Sequence, residues 1–492
     1  MEVPVLPSPL CLASAIVPLP APDVVGKVGK DASPRLPTEL WREIFVHATR
    51  VVGGYDTSYE SPFEKSEISN GYAYFLRQLK ENHRTKQALC LVSKTWRALA
   101  FDLIFEYLFL QEAYDWSKLA EALEESKLKQ RGRGGHGMGW YCKRIEIYTH
   151  SWTQELGVAA ARVVRCCPNL RVLAVGALEE TGGVPVELIQ AVFESCPGAI
   201  RSLDWTCDIG ADQTTEMFCL ISKAAKLQSL FLCVQQDLDA SHAEKIDAVG
   251  SLTLPELHTI ELVSPEFDPS DVLLVMAAWK LPGLRQLVLC GQTDLSFAHC
   301  FFEAHGPSLS TLEFDYAGES DPEPAFQSVL PQRGPEMLFA HCPNLTELIL
   351  QAHWASSQAL PGHPKIERIG LRGLHLHAGS QTRNRGGGLA LRPEHDAEQR
   401  AILQALRAAF PILVDRARFP SIKSVRLLDF DQSRFRSIPW RASRVAHWAF
   451  WVKRFERLGI RLEDHAGDLI EVIFREVNVL LPEDEEPYVL QS

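Results

Sequence analysis

The chain has 492 residues, 46% of them hydrophobic and 23% charged, with a formal net charge of −12 and a pI near 5.8. That is enough for two to four ordinary domains, or for one small domain and a long repeat array. The acidic balance, with no segregated basic stripe, excludes a broad phosphate-binding surface, and no apolar run approaches the roughly 18 residues that would cross a bilayer.

Residues 1–34 are apolar but broken by prolines and carry no positive charge before Lys27, so they do not read as a secretory leader. They read as a mobile tail. Twelve cysteines are scattered without a C-x-x-C pair. Their spacing fits neither a zinc site nor a disulfide framework, and points to reduced thiols buried as small apolar groups in a cytoplasmic or nuclear protein.

The first ordered element is predicted in "RLPTELWREIFVHATR", where Leu36, Leu40, Ile44 and Ala48 recur every fourth residue and Trp41 and Phe45 widen the stripe. Pro37 suits a helix start and Glu39 complements the helix dipole. A second amphipathic segment, "KQALCLVSKTWRALAFDLIFEYLFL", places Leu89, Val92, Trp96, Leu99 and Leu103 on one face. Ser93 can close one helix and N-cap the next. Helices this short bury little surface alone, so part of this apolar surface is expected to meet another chain or domain.

"LPTELWREIF" followed by "LCLVSKTWRALA" resembles the F-box, as found in F-box-like proteins of fungi. That resemblance implies a three-helix module that docks a Skp-type adaptor and, through it, the cullin and RING subunits of a ubiquitin ligase. The positions that match the docking pattern are Leu36, Pro37, Leu40, Ile44 and Phe45, then Val92, Ser93, Lys94 and Trp96. The sequence departs from the family by a long insertion, residues 49–85, where a short connection is usual. The insertion contains turn-rich "GGYDTSYESP" and a predicted short helix, "YAYFLRQLKENH", and could overlie the docking face. The module would span 35–110, followed by a linker helix and Gly-rich hinge over 111–140.

From residue 141 to 430 the chain repeats a phrase with apolar residues at relative positions 0, 3 and 5. "PNLRVLAV" (168–175) returns as "GAIRSLDW", "AKLQSLFL", "PELHTIEL", "PGLRQLVL", "PSLSTLEF", "PNLTELIL", "PKIERIGL" and "PSIKSVRL", with a degenerate copy, "YCKRIEIY", ahead of them. First apolar positions are separated by 30, 27, 30, 27, 25, 36, 21 and 56 residues, mostly near the leucine-rich-repeat period of about 20–29. Positions 3 and 5 of a short strand would point inward, and each strand would stack in parallel on its predecessor. Helical return segments such as "TQELGVAAARVVRCC", "VELIQAVFESC", "TEMFCLISKAA" and "GPEMLFAHC" would cover one face. The fold class is therefore α/β: a small helical module followed by an irregular leucine-rich-repeat solenoid. Gln235, Gln292 and His353 stand where the strict consensus has Asn or Cys. A mobile loop is expected over 378–400, a helix over 398–410, an aromatic-rich helical cap over 431–480 with Trp440, Trp448, Trp451 and Phe455, and an acidic tail over 481–492.

Motifs for chemistry are few. "GRGGHG" (132–137) satisfies G-x-G-x-x-G but follows charged "EALEESKLKQ" instead of a strand, which fits a hinge better than a phosphate cradle. Asn344 heads a glycosylation triplet with no secretory leader before it, and no zincin, hydrolase or Walker phrase is present. No catalytic residue, metal, cofactor, nucleic acid or membrane is expected. Positions 2, 4 and 6 of each phrase would line the concave face, among them Asp204, Phe231, Glu261, Glu313, Asp315, Glu347 and Ile349. Such a face, acidic with apolar islands, would suit a target carrying a basic, partly apolar segment, or would simply be solvated. The resemblance and the repeats together imply a non-catalytic substrate-recognition subunit. The alternatives are a leucine-rich-repeat scaffold without a ubiquitin link, and an enzyme with a scattered site.

Overall fold

The computed structural model describes residues 36–51, 61, 63, 71–111, 115–131, 135–177, 184–234, 252–264, 270–291, 298–315, 339–355, 360–373, 404–430 and 442–470. The expected tail 1–34, loop 378–400 and acidic tail 481–492 lie outside them, as do Gln235, Gln292 and Trp440. The chain forms two compact units. Residues 1–58 and 71–257 make the first, residues 59–70 and 258–492 the second.

The first unit opens with three helices: α1 (Thr38–Ala48), α2 (Gly71–Val92) and α3 (Lys94–Phe105). Pro37 is the N-cap of α1, one position ahead of the place its ring geometry suggested, and its carbonyl accepts the N–H groups of Leu40 and Trp41 at 3.0 and 3.2 Å. The segment read as a short helix inside the insertion runs without a break into the next one, giving a single helix of 22 residues. No Pro or Gly interrupts it between Tyr72 and Val92, so nothing in the backbone chemistry stops propagation. It ends where expected. The Ser93 hydroxyl accepts the Trp96 N–H at 3.1 Å and starts α3.

These helices meet through aromatic rings. Trp96 lies 4.9 Å from Trp41 and 4.8 Å from Phe45, centroid to centroid, over Cys90, Ala100 and Leu103. The Arg42 guanidinium also pairs with Asp102 across α1 and α3.

The parallel sheet begins earlier than the repeat phrase predicts. Strand β1 (Tyr107–Gln111) falls at the end of the segment assigned to the helical module, and pairs with β2 (Arg144–Thr149). β3 (Val172–Ala177), β4 (Ser202–Ile209) and β5 (Ser229–Val234) follow in chain order. Their register stacks Leu108, Ile145, Leu173, Leu203 and Leu230 in one ladder, with Leu110, Ile147, Val175, Trp205 and Leu232 in the next. The degenerate copy is thus shifted by one residue, and Cys142 fills its first position. The backbone explains the even spacing. Arg171 and Val172 both donate N–H to the Lys143 carbonyl, Arg201 and Ser202 both donate to Arg171, and Gln228 and Ser229 both donate to Arg201.

Between these strands run α4 (Trp116–Arg131), α5 (Gln154–Arg165), α6 (Val186–Ser195) and α7 (Ala211–Ile221). Thr153 caps α5 by accepting the Leu156 N–H, and α6 buries Leu188, Ile189, Ala191, Val192 and Phe193. Of the Gly-rich stretch read as a hinge, residues 132–134 lie outside the described residues, and Gly135 and Gly137 pack on α4. The Gly135 N–H reaches the Gln130 carbonyl, and a Cβ on Gly137 would stand 2.8 Å from the Lys127 backbone.

The second unit continues the pattern with β6 (Thr259–Ser264), β7 (Gln286–Gly291), β8 (Thr311–Asp315), β9 (Glu347–Gln351), β10 (Arg368–Arg372), β11 (Ser424–Leu427) and β12 (Arg461–Glu463). All are parallel and in chain order, with Ile260, Leu287, Leu312, Leu348, Ile369, Val425 and Leu462 in register. Described helices here include α8 (Ser270–Ala277), α9 (His299–His305), residues 404–413 (α10) and α11 (Ala442–Arg457). The segment read as a purely helical cap contains β12. Its aromatic cluster is present in part: Phe410 of α10 lies 5.3 Å from Trp451 and 5.1 Å from Phe455, and Trp448 lies 5.2 Å from Phe430.

In all nine phrases the residues at positions 0, 3 and 5 are at most 5% exposed. Burying a Leu or Ile side chain is worth about 1.5–3 kcal/mol, so the repeats hold the sheet together by their inward ladders. In the helical module the corresponding anchor is Trp96. Trp96→Ala is expected to cost about 3 kcal/mol, seen as faster hydrogen exchange in α1 and α3 while the strands keep their protection.

Candidate interaction surfaces

Three surfaces contain residues that the sequence singles out. The first is on the helical module. Leu40 and Ile44, one turn apart on α1, are each 44% exposed, Leu36 ahead of the Pro37 cap is 42% exposed, and Val46 is exposed as well. Leu91 and Val92 are exposed at the end of α2, and Pro37, Ser93 and Lys94 are exposed as well. Two of the nine positions that match the docking pattern face the other way. Phe45 is buried and Trp96 is half-buried in the aromatic core, because both rings are needed to hold α1 against α3.

The second surface is the helix-free face of the first unit, where strand positions 2 and 4 project. Arg144 pairs with Glu146 at 2.6 Å, and Glu146 is almost wholly enclosed. Asp204 on β4 stands beside Phe231 of β5 in register. One carboxylate oxygen of Asp204 is enclosed and accepts no hydrogen bond. Burial raises its pKa to about 6, with Glu146 adding to the rise and Arg144 opposing it. Phe231 is half-buried.

The third is the corresponding face of the second unit. It was expected to be an open acidic surface, but its central charges are buried and paired. Glu313 is 1% exposed and takes the Arg372 guanidinium at 2.5 and 2.8 Å. Glu347 pairs with Arg368 and accepts the Thr311 hydroxyl at 3.2 Å. Arg426 binds Glu463 through two nitrogens at 2.8 and 2.9 Å. Ile349 is fully buried and Glu261 half-buried, and the side chain of Asp315 lies outside the described residues.

What covers part of this face is a piece of the insertion. Ser61 donates its hydroxyl to Glu347 at 2.8 Å, and the Phe63 ring sits beneath the guanidinium groups of Arg368 and Arg426, 5.1 and 5.5 Å from its centroid. A Cβ on Gly370 would come within 3.3 Å of that ring. Sequence reasoning missed Ser61, Phe63, Arg368, Gly370, Arg372 and Arg426. The available signal was a Gly at position 4 of "PKIERIGL", where every other phrase carries a side chain.

Among the described residues no three His, Cys, Asp or Glu side chains are grouped to hold a metal, and no helix is long and apolar enough to cross a membrane. Burial pushes the thiols of Cys196 and Cys342 up to about 12. Asn344 is occupied structurally: its amide donates to the Pro307 carbonyl and its oxygen accepts from Lys365.

Within each unit, in-order parallel strands carrying the L-x-x-L-x-L phrase define a leucine-rich-repeat architecture. Among solved structures the chain is similar to the leucine-rich repeat-containing protein LegL7 from Legionella pneumophila, at 11% identity and a TM-score of 0.30, over 61% of this chain and 96% of that one. No family model matches the chain, and no curated protein does.

Two predictions follow from the buried charges. Asp204 has a folded-state pKa above its unfolded value of 3.8, so its contribution to stability is complete below pH 3.8 and is lost as pH rises through about 6. Asp204→Asn should therefore raise Tm at pH 8 and change it little near pH 4, as calorimetry would register. Glu313→Gln, which removes the nearest carboxylate from Arg372 and leaves it Asp429 at 3.9 Å, is expected to destabilise the second unit by about 2 kcal/mol. Adding Arg372→Met should recover much of that loss in urea unfolding; an additive double mutant would show that the pair is not coupled.

Proposed function

We propose that the chain is a non-catalytic substrate-recognition subunit of a cullin–RING ubiquitin ligase. The helical module docks a Skp-type adaptor, and the repeat sheet holds a target protein. The observation that carries this reading is the exposure of Leu36, Leu40 and Ile44 at and just before α1, and of Leu91 and Val92 at the end of α2. All of these except Leu91 coincide with positions implied by the F-box resemblance, and water is a poor environment for so many large apolar side chains. Tethering a target beside a ubiquitin-conjugating enzyme raises its effective concentration, and needs no reactive group on this chain.

A second reading, a leucine-rich-repeat interaction scaffold unconnected to ubiquitin transfer, is favoured by one observation. Phe45 and Trp96 are accounted for by core packing, so part of the motif match requires no adaptor.

The test must spare that core. Leu40→Asp combined with Val92→Asp changes only exposed side chains, and is expected to reduce co-purification of adaptor and cullin at least tenfold while Tm stays within about 2 °C. Equal recovery of both partners by wild type and a folded double variant would remove the ubiquitin reading and leave the scaffold.

A further inference from the structure

The contact made by Ser61 and Phe63 has the features of a recognition site. Strand β10 reads Arg368-Ile369-Gly370-Leu371-Arg372, with Ile369 and Leu371 turned into the core, so Gly370 stands on the helix-free face. Its missing side chain leaves a pit. A Cβ there would come within 2.9 Å of Leu428, 3.0 Å of Ile349 and 3.3 Å of Phe63. Arg368 and Arg426 present their guanidinium groups to the face of the ring that fills the pit, which favours an aromatic occupant over an aliphatic one.

One step along the occupying chain, polar recognition is equally defined. Glu347 is held by Arg368 and Thr311 and is enclosed, so its carboxylate is fixed as an acceptor. The Ser61 hydroxyl donates to it and itself accepts the Phe63 N–H at 3.3 Å. Hydroxyl and ring are thus presented together by one short turn. The occupant lies far away in sequence, 286 residues before Glu347, and belongs to neither β9, β10 nor β11.

We propose that this pit is a peptide-recognition site for a partner protein bearing a Ser-x-Phe turn, and that Ser61 and Phe63 occupy it in cis as an internal competitor. The chemistry selects the partner: a hydroxyl donor for a buried carboxylate, followed two residues later by an aromatic ring for a pit between two guanidinium groups. Tethering gives residues 61–63 an effective concentration in the millimolar range, so only a partner binding more tightly than that, or one that first displaces the insertion, gains the site. This deepens the target-holding reading above and rests on it for the existence of a partner, but does not involve the adaptor.

The experiment uses the full chain and a fluorescent peptide of residues 57–66, TSYESPFEKS, with anisotropy as the readout. Wild type is expected to bind it weakly, because its own segment is in place. Phe63→Ala, which empties the pit, should bind it at least tenfold more tightly, and the same peptide with Ala in place of Phe should not bind. Equal affinity of wild type and a folded Phe63→Ala variant, or binding indifferent to the peptide's Phe, would overturn the proposal. Should Phe63→Ala fail to fold, Ser61→Ala removes the hydroxyl's bonds to Glu347 and to the Phe63 N–H while keeping the ring, and is expected to gain about threefold in peptide affinity; no gain sinks the proposal. Failure of both variants to fold would make the segment integral core and refute it as well. No adaptor is present in the assay, so loss of adaptor binding in the pull-down leaves this result untouched.

Discussion

Everything in this chain depends on the requirement that each short strand hide two apolar side chains on one face while its backbone pairs with strands on either side. A strand of five or six residues cannot do this alone. In each unit the ladders Leu108 to Leu230 and Ile260 to Leu462 are continuous because every strand adds one apolar residue to each row at the same height. Paired N–H groups reaching a single carbonyl of the preceding turn, as from Arg171 and Val172 to Lys143, set that height before any side chain is considered. Variation in the intervening lengths is tolerated, since longer surface connections cost little entropy.

That constraint also shapes the opposite face. With alternation fixed at two residues, positions 2 and 4 must all project together, and the charged side chains there come within a few ångströms of neighbours on adjacent strands. Glu313, Glu347 and Glu463 each answer an arginine. The result is a lattice of ion pairs with little tolerance for single substitutions, and at Gly370, where a side chain is missing, the Phe63 ring takes the space. A buried charge pair stabilises less than it costs to break, so these pairs strengthen the fold less than their number suggests.

The repeats were legible because position 0, 3 and 5 residues are chosen for volume and apolarity alone, and nine copies make the pattern stand out from chance. The Ser93 junction was legible because a capping hydroxyl has one local partner. What the sequence hid was everything decided at long range. β1 lacked the Pro or Gly that announces eight of the nine phrases, and β12 was concealed by the aromatic segment before it. Phe45 and Trp96 look the same in sequence whether they serve a partner or the core; only their mutual distance tells them apart. Counting Glu313 and Glu347 as an acidic surface failed for a related reason, since the arginines that neutralise them are 59 and 21 residues further along the chain.

The position of Phe63 bears on how the protein is made. Its ring leaves the ribosome long before Arg368, Gly370 or Arg426 is synthesised. At about 5–20 residues per second the interval to Arg426 is roughly 20–70 seconds. For that time an aromatic side chain meant for an interior has nothing to enter, and the nascent chain must keep it from wrong partners. The second unit can therefore be completed only near the end of translation, when a segment from its beginning is finally received by strands from its end.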